Sequence, residues 1–552
     1  MPVWLGYIAT ENEYRDYYSG KQFWWSQHEP FFQERLDTRG KQDVASPTGQ
    51  WTRVEVVCRG DRVTVKINGA TANEALDVSP AYGKILLQNE GSEIYYRNWQ
   101  ISPLDKEHQH FGGSAMSVKQ NSTRLPSRRQ FLGRSAATAA LGLSALAAAP
   151  ARRVHAAGTD TLRVGLVGCG GRGTGAASQA LHADANVKLT AMADMFADRL
   201  EQSLAGLKKQ PDVAAKIDVP PERQFTGVDG YKQLIASGVD VVLLASPPHF
   251  RPAHLQAAVD AGAHVFAEKP VAVDAPGVRA VLATCELAEK KKLSIVSGLC
   301  LRYSCGFQEV VRRIQDGQIG KVTTLYANDY RGSIWLKARQ PEWTDMHNQM
   351  RNWYYYTWLS GDFNVEQHVH FLDVCAWAMG DRYPAKAVGL GGRQQRTGPE
   401  YGNIYDHHSV VYEYEDGARL ISNCRQMNGC RSQMSAQAVG TLGTASFRES
   451  RGGLTVTTES QKWVYQGEEN NIYQIEHDEL FASIRSGKPI NNGRYMAHST
   501  LLAILGRMAT YTGQEITWEQ AMNSKENLTP PSYDWGPAPE VKIAVPGVTK
   551  FV

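Results

Sequence analysis

No two cysteines of this 552-residue chain are spaced as C-x-x-C; Cys58, Cys169, Cys285, Cys300, Cys305, Cys375, Cys424 and Cys430 lie scattered along it. That pattern suggests neither a zinc site nor a disulfide framework, so buried free thiols are expected. No apolar run reaches the roughly 20 residues that a membrane-spanning helix needs. An excess of one charge is missing as well. The 59 Lys and Arg residues against 56 Asp and Glu leave +3, with no basic stripe interleaved with aromatics. A nucleic acid or other polyanionic partner is therefore not expected. One absence is local: no Asp or Glu occurs between Glu107 and Asp160. What is present, 42% hydrophobic and 21% charged residues, fits soluble globular domains with sizeable cores. At this length about three or four domains are expected.

The chain is organised around residues 162–194, LRVGLVGCGGRGTGAASQALHADANVKLTAMAD. An apolar run leads into Gly168, Gly170 and Gly173, which supply G-x-G-x-x-G between a strand pattern and a helix pattern. The first glycine makes the tight turn, the second lets backbone approach a pyrophosphate, and the third lets helix pack on strand. The helix N-terminus then offers unpaired N–H groups and a positive dipole end. Asp194 closes the second apolar run about twenty residues on, where a carboxylate meets a ribose 2′-OH. These features together predict dinucleotide binding. Repulsion between Asp194 and a 2′-phosphate favours NAD over NADP.

Residues 1–104 read as β-structure. Residues 51–58 and 62–68 alternate around Arg59-Gly60-Asp61, a hairpin signal, and Asn68-Gly69 marks a second turn. Residues 83–88 and 93–101 form another pair. The segments GYIATENEYRDYY, GQWTRVEVVCRGDRVTVKING and GKILLQNEGSEIYYRNWQISPL resemble the jelly-roll family of 3-keto-disaccharide hydrolases, over about one hundred residues and without the central part of such domains. The expectation is a truncated jelly-roll-like fragment, structural or carbohydrate-binding. Residues 105–160 change character. Ser127-Arg128-Arg129-Gln130-Phe131-Leu132, an Ala/Leu run to Ala149 and an A-x-A-like end after Arg152-Arg153 match a twin-arginine export signal. With Met116 as the natural start, the protein is expected to be exported to the periplasm. Residues 1–115 are then an upstream piece joined either by fusion or by gene-model error.

Beyond Asp194, residues 239–245 form a continuous apolar run, as in a strand buried on both faces, ending in Ser246-Pro247-Pro248-His249. A helix carrying His254 follows, then His264-Val265-Phe266-Ala267-Glu268-Lys269-Pro270. Strands alternating with helices predict a doubly wound parallel sheet over residues 161–285, with ligands at the strand carboxyl ends. VGCGGRG, ASPPHFRPAH, AGAHVFAEKP and GLCLRY, in this order, resemble the Gfo/Idh/MocA oxidoreductases from residue 162 to the C-terminus. The resemblance implies a Rossmann domain followed, over 286–552, by an α/β substrate domain with a large open, mixed or antiparallel sheet that often serves subunit contacts. Gly168, Gly170, Gly171, Arg172, Gly173, Asp194, Ser246, Pro248, His254, Glu268 and Lys269 are the expected cofactor contacts. The family's E-K-P lysine, between nicotinamide and substrate, maps onto Lys269.

In the second half, Arg302 and Tyr303 follow the apolar run 293–299 and are placed to reach the cleft. Trp353 stands in RNWYYYTW, a stretch dense in rings able to stack on a sugar, some of which must be core. On a continuous helix Glu366, His370 and Asp373 fall at i, i+4 and i+7 and share a face. A metal is not expected there, because no third ligand of matching spacing is evident. The family instead has an acid and a histidine four apart, the histidine accepting a proton, and Glu366 and His370 match those positions. The commoner acid is Asp and the flanking glycines are largely absent, which suggests a distinct subgroup. Asp406-His407-His408, before a strand pattern, places His407 at the cleft edge, and the proline-rich tail from Pro530 is suited to embracing a neighbouring subunit. Arg302, Tyr303, Trp353, Asp373 and His407 are the expected substrate contacts.

The sequence thus predicts a periplasmic sugar or glycoside oxidoreductase with a tightly held NAD, oxidising a hydroxyl, with C3 suggested by the upstream fragment. Lys269, His370 and Glu366 are its catalytic residues. Two alternatives stay open: an NAD-dependent glycosidase using transient oxidation, and a sugar-binding protein without catalysis. A homo-oligomer is expected.

Overall fold

The structure, a computed structural model, describes residues 53–59, 62–75, 160–448 and 452–552. Two units are distinguished, residues 1–141 and 142–552. In the first, β1 (Val54–Arg59), β2 (Arg62–Ile67) and β3 (Ala70–Ala75) form an antiparallel sheet. The expected hairpin pairs Val54 with Ile67 and Arg59 with Arg62. Asn68 and Gly69 both take positive φ, 50° and 87°, which a tight two-residue turn requires. The second expected strand pair and the twin-arginine segment lie outside the described residues.

The second unit contains two sheets. Six strands, β4 (Leu162–Val167), β5 (Val187–Asp194), β6 (Gln224–Thr226), β7 (Val241–Leu244), β8 (His264–Ala267) and β9 (Ile295–Ser297), run parallel in the order β6-β5-β4-β7-β8-β9. This is the doubly wound order whose direction reverses beside the first strand and opens a crevice at the carboxyl ends. The reason is visible in the residues: β7 is buried along its whole length, as a strand covered by helices on both faces must be. The expected division at residue 285 falls inside the helix Ala275–Lys290, and the sixth strand comes after it, so the parallel sheet extends to Ser297.

The larger sheet has nine strands. Around β10 (Val322–Arg331) lie β11 (Lys386–Gly392), β12 (His407–Glu413), β13 (Arg419–Gln426), β14 (Gln433–Gly440), β15 (Gly443–Phe447), β16 (Thr455–Thr458), β17 (Lys462–Val464) and β18 (Ile516–Thr517), in the order β17-β16-β15-β14-β10-β13-β12-β11-β18. β10 pairs parallel with β13; the other pairings are antiparallel. Strict alternation of buried and half-buried residues along β12 shows a sheet covered on one face only. The covering layer includes the helix Gly493–Thr512, nearly all of it buried. The helix Ile472–Ser486 returns to pack on the helix Gly171–Ala183 of the Rossmann half, so both halves share core. The tail is hydrogen-bonded to its own chain, with Trp535, Val541, Ile543, Val545 and Val548 exposed. Tyr405 donates to the Ala544 carbonyl, Met346 N–H to Gly536, and Lys525 N–H to Val552, which seats residues 525–552 on their own chain. All eight cysteines are free, but Cys58, Cys305 and Cys430 are exposed rather than buried. Among the described residues no helix is long and apolar enough to cross a membrane.

Candidate active site

A cavity of about 620 Å³ lies at the carboxyl edge of the parallel sheet, lined by Gly168, Gly170, Gly171, Arg172, Gly173, Asp194, Ser246 and His254 among others. The glycines are sterically required. Gly168 has φ +96°, and a Cβ on it would stand 2.4 Å from the Ser246 nitrogen; one on Gly173 would stand 1.8 Å from the Gly168 oxygen. No side chain caps the helix Gly171–Ala183, so its first N–H groups are left for a ligand. Asp194 is fixed by its own turn: Cys169 N–H donates to Oδ2 (2.6 Å) and Phe196 N–H to Oδ1 (2.9 Å). Burial raises its pKa above the usual carboxylate value. Ser246 and the His254 Nδ1 are 3.2 Å apart, and burial pushes His254 down to about 3, so its ring is neutral. Pro247 rather than Pro248 forms the wall. A glycine turn open to the cavity, an uncapped helix start and a carboxylate at the second strand end fit a dinucleotide.

The catalytic candidates meet behind Arg172, which bonds Glu268; the expected cofactor contacts Glu268 and Lys269 do not themselves line the cavity. Lys269, just past β8, donates through Nζ to the Glu366 carbonyl (2.6 Å) and to Glu366 Oε1 (3.1 Å). The segment carrying Glu366 is pinned from below. Asp362, fully buried with φ +84°, accepts from Asn364 N–H, Tyr405 N–H, the Tyr511 hydroxyl (2.5 Å) and His408 Nε2 (3.1 Å). His370 is half-buried, and its Nδ1 is buried without a partner. Burial, together with the nearby Lys269, Arg331 and Arg172 cations, holds its pKa well below the ordinary histidine value. Glu268 and Glu476 both accept from Arg172, tying the glycine turn to the site floor.

One continuous helix does not carry the acid and the histidine. Helix Phe363–Glu366 ends, and helix Val369–Ala378 begins after a break at Gln367-His368. Asp373 stays on the helix of His370 but is taken up by Arg302, and three other expected substrate contacts have partners of their own. Arg302 forks onto Asp373 (2.8 and 2.8 Å), reaches Asp381, and lies 3.9 Å over the Tyr495 ring. Tyr303 is core and donates to Asn492 (3.0 Å). His407 pairs with Asp406 (2.7 Å) on the outward register of β12; its neighbour His408 is the buried one. Trp353 does line the cavity.

Sequence reasoning missed Asp329 and Arg331. Arg331 donates to both Asp329 oxygens (2.5 and 2.9 Å) from the end of β10, close enough to Lys269 and Glu366 to be felt electrostatically. The signal was available: Asp329 shares the core-facing register with Leu325 and Ala327, where a carboxylate requires a reason. Trp335, Lys337 and Arg351, also on the cavity wall, carried no motif. Among the described residues, no three His, Cys, Asp or Glu side chains converge as metal ligands.

An α/β nucleotide-binding oxidoreductase is the class this crevice and its lysine define. Residues 162–297 match the oxidoreductase family with an NAD-binding Rossmann fold, and residues 307–446 match the GFO/IDH/MocA C-terminal domain. Over these residues the chain belongs to the Gfo/Idh/MocA oxidoreductases. Residues 5–102 match the 3-keto-alpha-glucoside-1,2-lyase-like domain. The inositol 2-dehydrogenase/D-chiro-inositol 3-dehydrogenase of Halalkalibacterium halodurans is 25% identical over 272 residues, 48% of this chain and 66% of that protein. The inositol 2-dehydrogenase of Acidiphilium cryptum is 25% identical over 291 residues, 52% of this chain and 74% of that one. In fold, the chain resembles the aldose-aldose oxidoreductase of Caulobacter crescentus (TM-score 0.51, 16% identity, 65% of this chain and 99% of that one). It also resembles GenD2 of gentamicin A biosynthesis, crystallised with NAD (TM-score 0.50, 17% identity, 65% and 97%).

Proposed function

We propose that the protein is an NAD-dependent dehydrogenase of a sugar, sugar alcohol or glycoside hydroxyl. The observation that carries this is Lys269, held by Glu366 near His370 and following Glu268, which accepts from the cradle's Arg172. Bound NAD would supply the hydride acceptor. The remaining work falls to the chain's own groups. His370, neutral because its pKa is depressed, accepts the hydroxyl proton. The Lys269 ammonium stabilises the developing alkoxide and lowers the hydroxyl's pKa, so that a weakly basic histidine suffices. Glu366 fixes the direction of that ammonium through two hydrogen bonds. Oxidation at C3 is the finer reading, supported by the match of residues 5–102 to a domain described for 3-keto-glucosides. Export by the twin-arginine route, with NAD bound through turnover, accords with the sequence of residues 127–157.

The test is direct. Protein purified without added nucleotide is denatured, and the supernatant is assayed for NAD(H) by absorbance and mass. Product analysis on glucosides and inositols then follows the hydroxyl. Released NAD(H) and a keto product are expected; cleavage to a free sugar without keto product, or no turnover of any polyol, overturns the assignment.

A further inference from the structure

The cavity has an outer wall that does not belong to the Rossmann half. Trp335, Lys337, Met350, Arg351 and Trp353 come from the segment between β10 and the helix Thr357–Ser360, and they face Asp194, Phe196 and Arg199 across the opening. A dinucleotide places its adenosine ribose at that end, beside the acid closing the second strand. Arg351, the last residue of the helix Asp345–Arg351, crosses the gap. Its Nη1 and Nη2 donate to the two Asp198 oxygens at 2.8 Å each, and its guanidinium lies 3.7 Å from the centre of the Phe196 ring. Asp198 stands in the first turn of the Rossmann helix Ala197–Lys208. His347 stacks on Phe196 at 5.1 Å, Trp535 of the tail lies 5.6 Å from Phe196, and Met346 N–H bonds the Gly536 carbonyl. The crossing is thus braced from both the helix and the tail.

We propose that this wall is a latch on the nucleotide: Arg351 is a positioning residue that closes the adenosine end, and NAD leaves only when the Arg351–Asp198 fork opens. The proposal rests on the NAD reading of the cavity. A forked guanidinium–carboxylate pair is geometrically demanding, so a lysine cannot replace it in full. The aromatic face below adds attraction that a partly dry site strengthens. At the start of the helix after β5, Phe196 is the N-cap and Asp198 stands two residues on, which lets one guanidinium engage both.

The test loads the full chain with NAD and follows its release during a chase with excess fluorescent etheno-NAD. Arg351→Ala, which removes the fork and the ring contact, is expected to release NAD about three- to tenfold faster than wild type, and Asp198→Asn, which removes the fork's charge alone, about two- to fivefold faster. The double variant should be no faster than the faster single one, because both open one latch, and Arg351→Lys should fall between. Circular dichroism identifies any variant that has not folded; Asp198, half exposed, keeps the question answerable if Arg351→Ala is lost. Wild-type release rates in folded Asp198→Asn or Arg351→Ala overturn the latch while leaving NAD binding intact. A wild-type protein that binds no NAD overturns both.

Discussion

Two ion pairs of this protein have the same chemical parts and different surroundings. Each joins a cation just beyond a strand of the parallel sheet, Lys269 after β8 and Arg302 after β9, to a carboxylate of the segment 363–378, Glu366 or Asp373. Around Arg302 the contacts are complete. Asp373 takes two guanidinium bonds and the Ser499 hydroxyl, Asp381 takes more, and Tyr495 covers the flat face. Around Lys269 two ammonium hydrogen bonds go to Glu366, and the pair lies beside His370, whose Nδ1 is buried without a partner. A saturated pair is structure, whereas an unsaturated pair beside an unpartnered base is equipped for chemistry.

Breaking the open pair should have the larger effect. Removing a general base costs about 10² to 10⁴ in rate, and losing a charge stabiliser costs a similar factor. His370→Ala and Lys269→Met are each expected to cut turnover by that order while leaving NAD affinity nearly unchanged. The double variant should be less than additive, since both groups act on one alkoxide. Steady-state kinetics on a polyol that the wild type oxidises, with NAD binding measured separately, checks this; near-normal turnover in either single variant would sink the assignment.

The contrast also shows what could be read before the fold was known. The nucleotide cradle is made by adjacent residues: a glycine turn, a helix start and a strand end all lie within 162–194, so local pattern carried them. Lys269 and Glu366 are 97 residues apart, and only the resemblance to a family brought them together. Arg302 and Asp373 looked equally suitable, because sequence does not show which side of a strand end a side chain takes. The break at Gln367-His368 was invisible to a helical count, and it separates Glu366 from the helix that carries both His370 and Asp373. Arg331 was missed because no motif marks the end of β10; Arg351 opens the ring-rich stretch RNWYYYTW, but only its rings were read, and its partner Asp198 lies 153 residues away.

Opening the saturated pair should damage stability instead of rate. Arg302→Met leaves Asp373, 1% exposed, without its main partner. Breaking a buried pair on one side typically costs about 3–5 kcal/mol. Chemical denaturation should show a loss of that order, with kcat of the folded fraction unchanged. A large fall in kcat at unaltered stability would instead return Arg302 to the substrate site.

The smallest effect separates a histidine in use from one that is only buried. His370 and His477 both have pKa values held well below normal by burial, but His477 has neither ring nitrogen bonded and packs 4.2 Å from Phe266. A histidine neutral in the folded state takes a proton on unfolding once the pH is below about 6.5. Its contribution is therefore complete above that pH and is lost as the pH falls toward the depressed folded value. The slope is about 1.4 kcal/mol per pH unit for each such ring. His249, held at about 4, and His254, at about 3, add to the same trend. Denaturant midpoints should be level near pH 7 and fall steeply from pH 6 to 5. His477→Phe replaces an unpartnered polar ring with an apolar one and should flatten that fall by one proton's worth, while the pH profile of kcat stays as in the wild type. An unchanged slope would mean that His477 finds a proton partner in the folded protein. A shifted kcat profile would mean that it reaches the catalytic centre through Arg172.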